Sequence, residues 1–291
     1  MAPSPHHGPF DPPTWTPIET PPAIADAWAR AGARLGAFAQ RLHCYGTVTS
    51  TNDLAMRLAA AGAAEGTTLV AEAQTAGRGR RGREWFSPAG AGLYLSVILR
   101  PAASSVSSPA EVTQRLTLAA GVATVEGVRT SSGLQVELKW PNDLVFERRK
   151  VAGILAEVSS PPGTGRDAHE AVILGVGVNV GASAYPPEVA ATATSLEREL
   201  GRPVDRALVL VETVSALASR YEDLRSGRVD AILSAWRRYA PALPGSAIEW
   251  DGPDGPQYGH AIDIAEDGAL MARQGDDVTR LVAGEVRWRS R

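Results

Sequence analysis

About a quarter of the way along the chain stands the string Gly77-Arg78-Gly79-Arg80-Arg81-Gly82-Arg83, which places four arginines and three glycines in seven positions. Such a segment is too charged for a protein core and too rich in glycine for a regular helix. Its backbone N–H groups and guanidinium groups can approach a phosphate or a carboxylate closely. The glycine spacing matches neither a Walker A loop nor a dinucleotide-binding fingerprint. The string, called here the arginine loop, therefore predicts an anion-binding loop.

The segments on both sides of the arginine loop alternate between strand and helix patterns. Thr67–Ala73 is predicted to be a strand that leads into Gln74 and the loop, and a helix capped by Ser50 or Thr51 is predicted to run to about Ala64. The other predicted strands are His43–Val48, Leu93–Leu99, Val136–Trp140, Leu144–Phe146, Val151–Val158 and Ala171–Val180, with helices over 109–128, 205–224 and 229–239. A hairpin interrupts the alternation, so the pattern predicts an α+β fold with a mixed β-sheet and helices.

Composition and charge exclude several classes of protein. The chain has 291 residues and a formal net charge of −3, which argues against a surface coated in positive charge for tight nucleic-acid binding. Its single cysteine, Cys44, forms no internal disulfide and fits a reducing cytoplasm. No apolar run is long enough for a membrane span, and no signal peptide is evident, so we expect a cytoplasmic protein without a membrane partner.

Turn and proline signals divide the chain into three parts. Residues 1–40 begin with eight prolines in the first 22 positions and are predicted to be a largely disordered arm with one short helix. Residues 41–241 form the predicted main domain. Residues 242–291 show short strands separated by evenly spaced turns, which is typical of a small β-barrel. The first 40 residues are too few for a winged helix-turn-helix domain.

Three polar clusters stand at predicted strand ends, where a rigid scaffold usually presents function. The first is Ser50-Thr51-Asn52, which is also consistent with a helix cap alone. The second is Gln74 with the arginine loop, and a solvated surface or a nucleic-acid contact are its alternatives. The third is Lys139–Asp143, in which the lysine could equally face solvent. Three glycines inside strands favour a ligand lying against the sheet: Gly153, Gly175 and Gly177.

Taken in chain order, these strings resemble the biotin–protein ligases, also called biotin–[acetyl-CoA-carboxylase] ligases or holocarboxylase synthetases. The matching strings are Ser50-Thr51-Asn52, Gln74 with Gly77–Arg83, Trp85–Pro88, Leu93–Ser96, Lys139–Leu144, Lys150–Leu155 with Glu157, and Gly175–Val180. The resemblance implies a mixed sheet related to class II aminoacyl-tRNA synthetases with a C-terminal SH3-like β-barrel. It also implies two half-reactions: biotin and ATP give biotinyl-5′-AMP, and a lysine of a biotin carboxyl carrier protein then takes up the biotinyl group.

The resemblance also implies roles for particular residues, and 41–241 becomes the biotin- and ATP-binding catalytic domain. Catalytic roles fall to Lys139, Arg78 and Arg80. The residues implied for biotin are Ser50, Thr51, Asn52, Gln74, Gly77, Arg78, Gly79, Arg80, Lys139 and Gly153. The residues implied for ATP are Arg80, Arg83, Trp85, Lys139, Asn142 and Asn179. No metal site of the protein's own is expected, and Mg²⁺ arrives with ATP.

Partners and alternatives complete the expectations. The resemblance implies a biotin carboxyl carrier protein as the partner and a homodimer as the assembly. Since residues 1–40 are too few for a DNA-binding domain, no sequence-specific DNA binding is expected. A lipoate–protein ligase of the same fold is the nearest alternative. A nucleic-acid-binding module that uses the arginine loop is the alternative from another class.

Overall fold

The computed structural model describes residues 15–101, 108–159, 171–182, 185–252, 255–282 and 284–289. The helices within these ranges are α1 Pro22–Leu35, α2 Thr51–Ala60, α3 Pro109–Ser132, α4 Pro187–Ala190, α5 Leu196–Leu200, α6 Arg206–Arg225 and α7 Val229–Tyr239. The strands of the main domain are β1 Leu42–Val48, β2 Thr68–Gln74, β3 Gly92–Leu99, β4 Glu137–Lys139, β5 Asp143–Phe146, β6 Arg149–Ser159 and β7 Ala171–Asn179. The strands beyond are β8 Ala247–Gly252, β9 Gly255–Ile264, β10 Leu270–Gln274, β11 Asp277–Leu281 and β12 Val286–Trp288.

The main domain is built on a seven-stranded sheet in the order β1-β2-β3-β7-β6-β5-β4. Strands β1 and β2 run parallel, and every other neighbouring pair in this sheet is antiparallel. The parallel pair is possible because α2 provides the crossover between β1 and β2. The predicted mixed sheet of an α+β fold is therefore confirmed.

The two faces of this sheet have different coverings. One face carries the larger core, in which side chains of β6 and β7 such as Ile154 and Val176 pack toward α3, and α6 packs on α3. The other face is covered only in part by α2, whose Leu54 and Ala55 contact Leu69 and Ile173 in a smaller core. Because side chains alternate along a strand, the three strand glycines lie on this second face. The part of that face that α2 leaves uncovered is where the site lies.

Helix α1 refines the prediction for the N-terminal 40 residues. The predicted short helix exists, but it is packed on α6, and Ile24, Trp28 and Leu35 are buried in the main core. Upstream of α1, the N–H group of Ile18 donates to the carbonyl of Cys44 on the edge strand β1 (2.8 Å). The structure thus adds to the predicted helix a partner in the main domain, which stabilises an apolar face too short to fold alone. The division of the chain at residue 40 stays a prediction. Residues 1–14 lie outside the described residues.

We expect Leu35→Ala to lower the free energy of unfolding by about 2–5 kcal/mol, the usual cost of a cavity where a buried leucine stood. The side chain of Leu35 is fully buried at the end of α1. Arg30→Ala, on the exposed side of the same helix, is the matched control and should change stability by less than about 0.5 kcal/mol. Urea unfolding followed by circular dichroism measures both. Equal stabilities of the two variants would show that α1 adds nothing to the core.

The C-terminal strands form a separate five-stranded antiparallel sheet in the order β11-β10-β9-β8-β12. It contacts the main domain at Trp140, whose indole N–H donates to the carbonyl of Gly268 (3.0 Å) while its ring is buried. The predicted small C-terminal β unit is therefore present, and its contact with Trp140 lies one residue beyond Lys139. The boundary near residue 242 stays a prediction.

Candidate active site

Cross-strand register brings the centre of the site together. Lys139 on β4 pairs with Asp143 on β5, Asp143 with Gly153 on β6, Gly153 with Gly177 on β7, and Gly177 with Tyr94 on β3. Residues directly opposite one another in antiparallel strands present their side chains on the same face. The two central glycines therefore leave a bare strip of sheet, with Lys139 and Asp143 at one end and Tyr94 at the other.

A cavity of about 710 Å³ opens over this strip. Its lining comes from β2, the arginine loop, the ends of β3 to β7, the segment 185–193 and the C-terminal sheet. The site residues named from the sequence that line it are Ser50, Thr51, Asn52, Gln74, Arg78, Gly79, Arg80, Arg83, Trp85, Lys139, Asn142, Gly153 and Asn179. The structure thus brings into one cavity residues that lie more than a hundred positions apart in the sequence.

One end of the cavity is polar and uncharged. The backbone N–H of Thr51 donates to Oε1 of Gln74 (2.8 Å), and Nε2 of Gln74 donates to the hydroxyl of Ser87 (2.8 Å). Ser50 stands at the N-cap of α2, but its side chain makes no capping hydrogen bond and is nearly fully buried. The alternative interpretation of Ser50 as a helix cap is therefore not what the structure shows. This end offers both donors and acceptors to a neutral polar group.

The other end of the cavity is cationic. Lys139 is half-buried beside the ring of Trp288, with Nζ 5.6 Å from the ring centre. Burial lowers the pKa of Lys139 from its ordinary value, although Asp143 and Glu285 act in the opposite direction. Lys150 pairs with Asp143 at 2.6 Å and lies over the indole of Trp85 at 5.2 Å. The arrangement holds two ammonium groups and one carboxylate around the strip.

Arg80 belongs to the same cationic end. Its Nη1 lies 3.4 Å from Oδ1 of Asn142, whose own Nδ2 donates to the carbonyl of Ile154 (2.6 Å) on β6. Burial lowers the pKa of Arg80 from its ordinary value, and the charge of Asp143 opposes that shift. Asn142 therefore joins the arginine loop to the sheet and leaves most N–H groups of this guanidinium available to an anion.

The other arginines of the loop are held by carboxylates of the protein. Arg78 binds both Asp53 and Glu157, Arg81 lies 3.4 Å from Asp251, and Arg83 donates to Glu285 (3.1 Å). The partner of Arg81 lies in β8 of the C-terminal sheet, and the partner of Arg83 immediately precedes β12 of that sheet. A nucleic-acid surface presents its cations to solvent phosphates, so these internal pairs disfavour the nucleic-acid-binding alternative.

Gly77 is the one site residue named from the sequence that lies outside the cavity lining. A Cβ atom at Gly77 would stand 2.4 Å from the carbonyl oxygen of Trp85 and 2.7 Å from Oγ of Ser87. Its carbonyl accepts the backbone N–H of Trp85 (2.8 Å). Gly77 therefore lets the two ends of the loop approach each other, and its place in the structure is a packing position.

Trp85 covers the glycine strip. Cβ atoms added at Gly177 and Gly153 would lie 2.5 Å and 3.1 Å from its indole ring. The indole N–H is buried against Gly177 and has no hydrogen-bond partner within the described residues. The expectation that these glycines admit a close ligand is refined, because this chain places its own tryptophan over them.

Asn179 lines the cavity wall, and its Nδ2 donates to the backbone carbonyl of Thr194 (3.0 Å). Sequence reasoning gave no binding or catalytic role to seven residues that the structure places in the cavity lining or in contact with it, namely Asp143, Lys150, Tyr185 and Glu285 in the lining and Asp53, Ser96 and Glu157 beside it. Lys150 and Glu157 stood in strings already noted. The sequence does not show which side chains of a strand face the cavity, and that information was needed to select these two. Tyr185 and Glu285 come from distant segments, so no local pattern points to them.

Comparison with known proteins gives concordant matches. The profile of the Biotin/lipoate A/B protein ligase family matches residues 45–179. The Bifunctional ligase/repressor BirA of Bacillus subtilis is 33% identical over 271 residues, covering 92% of this chain and 80% of that protein. The Biotin--[acetyl-CoA-carboxylase] ligase of Mycobacterium tuberculosis is 37% identical over 243 residues, covering 81% of this chain and 85% of that protein.

A solved structure agrees with these matches. The biotin protein ligase of Aquifex aeolicus in complex with biotin and ATP superimposes with a TM-score of 0.73 at 27% identity. The match covers 86% of this chain and 99% of that one.

Proposed function

Because this chain belongs to the biotin/lipoate A/B protein ligase family, we propose that it activates biotin with ATP as biotinyl-5′-AMP and transfers the biotinyl group to a lysine of a biotin carboxyl carrier protein. The observation that carries the proposal is the cavity itself. Its neutral polar end at Thr51 and Gln74 and its cationic end at Arg80 and Lys139 are joined by the glycine strip on which Trp85 lies.

The first half-reaction brings two anions together, since the biotin carboxylate attacks the α-phosphate of ATP. An oxygen of the carboxylate forms a bond to phosphorus, and the bond to the bridging oxygen of pyrophosphate breaks. Lys139 and Arg80 are the cations placed to offset that repulsion and the charge that develops on the α-phosphate. Fixing both groups against one sheet also supplies the orientation that the attack requires.

The neutral end of the cavity favours biotin over lipoate. The ureido ring of biotin has a carbonyl acceptor and two N–H donors, which Ser50, Thr51 and Gln74 can match. The dithiolane ring of lipoate has no such groups, so it would gain no hydrogen bonds from these side chains. The lipoate-ligase alternative is therefore disfavoured by the chemistry of this end.

The second half-reaction needs a neutral lysine of the carrier to attack the carbonyl of the mixed anhydride, with AMP as the leaving group. No nucleophile of the enzyme is required for this step. Mg²⁺ enters as part of the nucleotide substrate, held mainly by phosphate oxygens and water. The described residues contain no cluster of three His, Cys, Asp or Glu side chains. Asp143 and Glu285 are the carboxylates of the cationic end that would be available to such an ion.

Two assays on the purified protein test this function. ATP–pyrophosphate exchange should depend on biotin and not on lipoate, and a carrier domain should gain a biotinyl group at one lysine, detected by mass spectrometry. Octanoate, which has a carboxylate but no ureido ring, serves as the matched control acid. Exchange that depends on lipoate would show that the chain is a lipoate ligase of the same family. The absence of exchange with any acid would contradict the proposal.

Arg80→Gln should raise the KM for ATP and lower kcat for exchange, with a combined loss in kcat/KM of about a hundredfold. Glutamine keeps the contact with Asn142 in reach and removes the charge. Arg225→Gln, remote from the cavity and paired with Glu65, is the control and should leave both constants unchanged. An effect of Arg80→Gln on the KM for biotin alone would place this guanidinium away from the phosphates.

Three finer points are part of the proposal. A homodimer is tested by light scattering over a range of concentrations, with and without biotin and ATP. The absence of sequence-specific DNA binding is supported by α1, whose apolar face is packed on α6, and footprinting on a biotin-operon promoter tests it. A cytoplasmic location is tested by fractionation. Within the described residues, no helix has the length and apolarity needed to cross a membrane.

A further inference from the structure

Arg78 is held from two different elements of the main domain. Its Nη1 donates to Asp53 in the first turn of α2, and its Nη2 donates to Glu157 on β6. Burial lowers the pKa of Arg78, but the hydrogen bond that Arg78 donates to Asp53 and the charges of Glu157 and Asp53 outweigh it and raise the pKa overall. Two carboxylates of the protein therefore pair with this partly exposed guanidinium and occupy two of its nitrogens, which leaves fewer N–H groups for a substrate.

Glu157 continues the contact into the interior. Its second oxygen accepts a hydrogen bond from Nδ2 of Asn52 (2.8 Å), and Oδ1 of Asn52 accepts one from the hydroxyl of Ser96 (2.6 Å). Asn52 and Ser96 are both nearly inaccessible to solvent. Asn52 fits there because Gly175 has no side chain, since a Cβ atom at Gly175 would stand 2.3 Å from Oδ1.

The hydrogen bonds continue from Ser96 toward the arginine loop. The hydroxyl of Ser96 contacts both the amide oxygen of Asn52 (2.6 Å) and the hydroxyl oxygen of Thr51 (2.8 Å), and the hydroxyl of Thr51 donates to Oε1 of Gln74 (3.2 Å). The backbone N–H of Thr51 donates to Oε1 of Gln74 (2.8 Å), which fixes the amide of Gln74. Nε2 of Gln74 then donates to Ser87 (2.8 Å), and Ser87 donates to the carbonyl of Trp85 (2.8 Å).

This series of hydrogen bonds begins near the start of the arginine loop, at Arg78, and ends just after the loop, at Trp85. We propose that Asp53, Asn52 and Glu157 are positioning residues that fasten the arginine loop to the polar end of the cavity, and that the side chain of Arg78 serves this fastening and not the phosphates. The cations that face the substrates are then Arg80 and Lys139. The inference rests on the proposed function for the identity of the substrates, and it changes the catalytic role that the sequence implied for Arg78.

The test compares the isosteric double variant Asp53→Asn/Glu157→Gln and Arg78→Gln with the wild type. Glu212→Gln is the matched control, since Glu212 forms a similar two-bonded pair with Arg34 (2.7 and 2.8 Å) on α1, far from the cavity. The first readout needs no substrate: trypsin cleavage after Arg80, Arg81 and Arg83 should be about tenfold faster in both loop variants and unchanged in the control.

The second readout is steady-state exchange. Both loop variants should raise the KM for biotin by about tenfold with little change in the KM for ATP, because Thr51 and Gln74 share the hydrogen-bond chain with Arg78. A global loss of folding would lower the active fraction and leave KM unchanged. Wild-type rates of loop cleavage in the double variant would contradict the proposal that these residues hold the loop. If Arg78→Gln changed only the KM for ATP, the side chain of Arg78 would instead be assigned to binding the phosphates.

If the double variant does not fold, the single variant Asp53→Asn replaces it. The carboxylate of Asp53 is more exposed than that of Glu157, and its removal leaves Glu157 bound to Arg78. A smaller increase in loop cleavage is expected, and none would count against the proposal. Because cleavage is measured without biotin or ATP, failure of the fastening is distinguishable from failure of the proposed function, which the wild-type exchange assay reports.

Discussion

Lys139→Ala should slow biotin-dependent ATP–pyrophosphate exchange by about a thousandfold, a loss of about 4 kcal/mol of transition-state stabilisation. Lys139 stands at the cationic end of the glycine strip, in register with Asp143, and its partial burial strengthens its interaction with an anion. The main effect is expected on kcat, because charge develops on the α-phosphate as the carboxylate attacks. Lys150→Ala is the comparison: its ammonium is already paired with Asp143, so a smaller loss is expected.

The pH dependence of exchange offers a second test of Lys139. Burial lowers the pKa of this lysine, and the charges of Lys150 and Arg83 lower it further against the opposing effects of Asp143 and Glu285. The ammonium must be charged to act, so exchange should fall as pH rises through that lowered pKa. Lys139→Arg keeps its charge throughout and should remove the alkaline limb, even where its rate at neutral pH is reduced. The same alkaline limb in both proteins would assign it to another group.

The elements of the fold could be predicted from the sequence because each carried a local signal. The apolar run Leu93–Leu99 and the alternation in β6 both became strands, and the turn chemistry after residue 242 became the second sheet. The packing of α1 had no such signal, since nothing local shows which partner covers its apolar stripe. The hairpin between β5 and β6 was predicted, with its turn at Glu147–Arg149, and the structure has it. The backbone of that turn had no signal, because Glu147 and Arg148 adopt positive φ angles of 47° and 68°, where glycine or asparagine is usual.

The site could be predicted as a set of residues but not as a set of contacts. The strings identified residues of the cavity because glycines and polar side chains at strand ends are unusual in themselves. Which arginine faces a ligand could not be inferred, because it depends on carboxylates such as Glu157 and Glu285 that arrive from distant strands. The same limit applies to the glycine strip. Gly175 and Gly177 were expected to admit a ligand, and only the tertiary structure shows Asn52 and Trp85 lying against them.

Gly177→Ala should lower kcat/KM for biotin by about a hundredfold, because the added methyl group displaces Trp85 from the glycine strip. The new Cβ would stand 2.5 Å from Cε2 and Nε1 of the indole, and the ring has little freedom to move away. The far edge of the indole lies over Gly153, and the backbone N–H of Trp85 donates to the carbonyl of Gly77 (2.8 Å). Gly46→Ala is the matched control, since Gly46 also lies within a strand and a Cβ there would meet nothing within 4 Å.

A double-mutant cycle separates displacement of Trp85 from damage to the sheet. If Gly177→Ala acts through the indole, removing the ring first should abolish its effect, so Trp85→Ala/Gly177→Ala should have the same kcat/KM as Trp85→Ala alone. If the added methyl group instead strains β7 or blocks the ligand directly, the two losses should add. Urea unfolding of all four proteins checks that the comparison is made between folded enzymes. Additive losses would mean that the glycine strip makes room for the substrate itself. No further loss from Gly177→Ala in the Trp85→Ala background would mean that the strip makes room for the indole of Trp85.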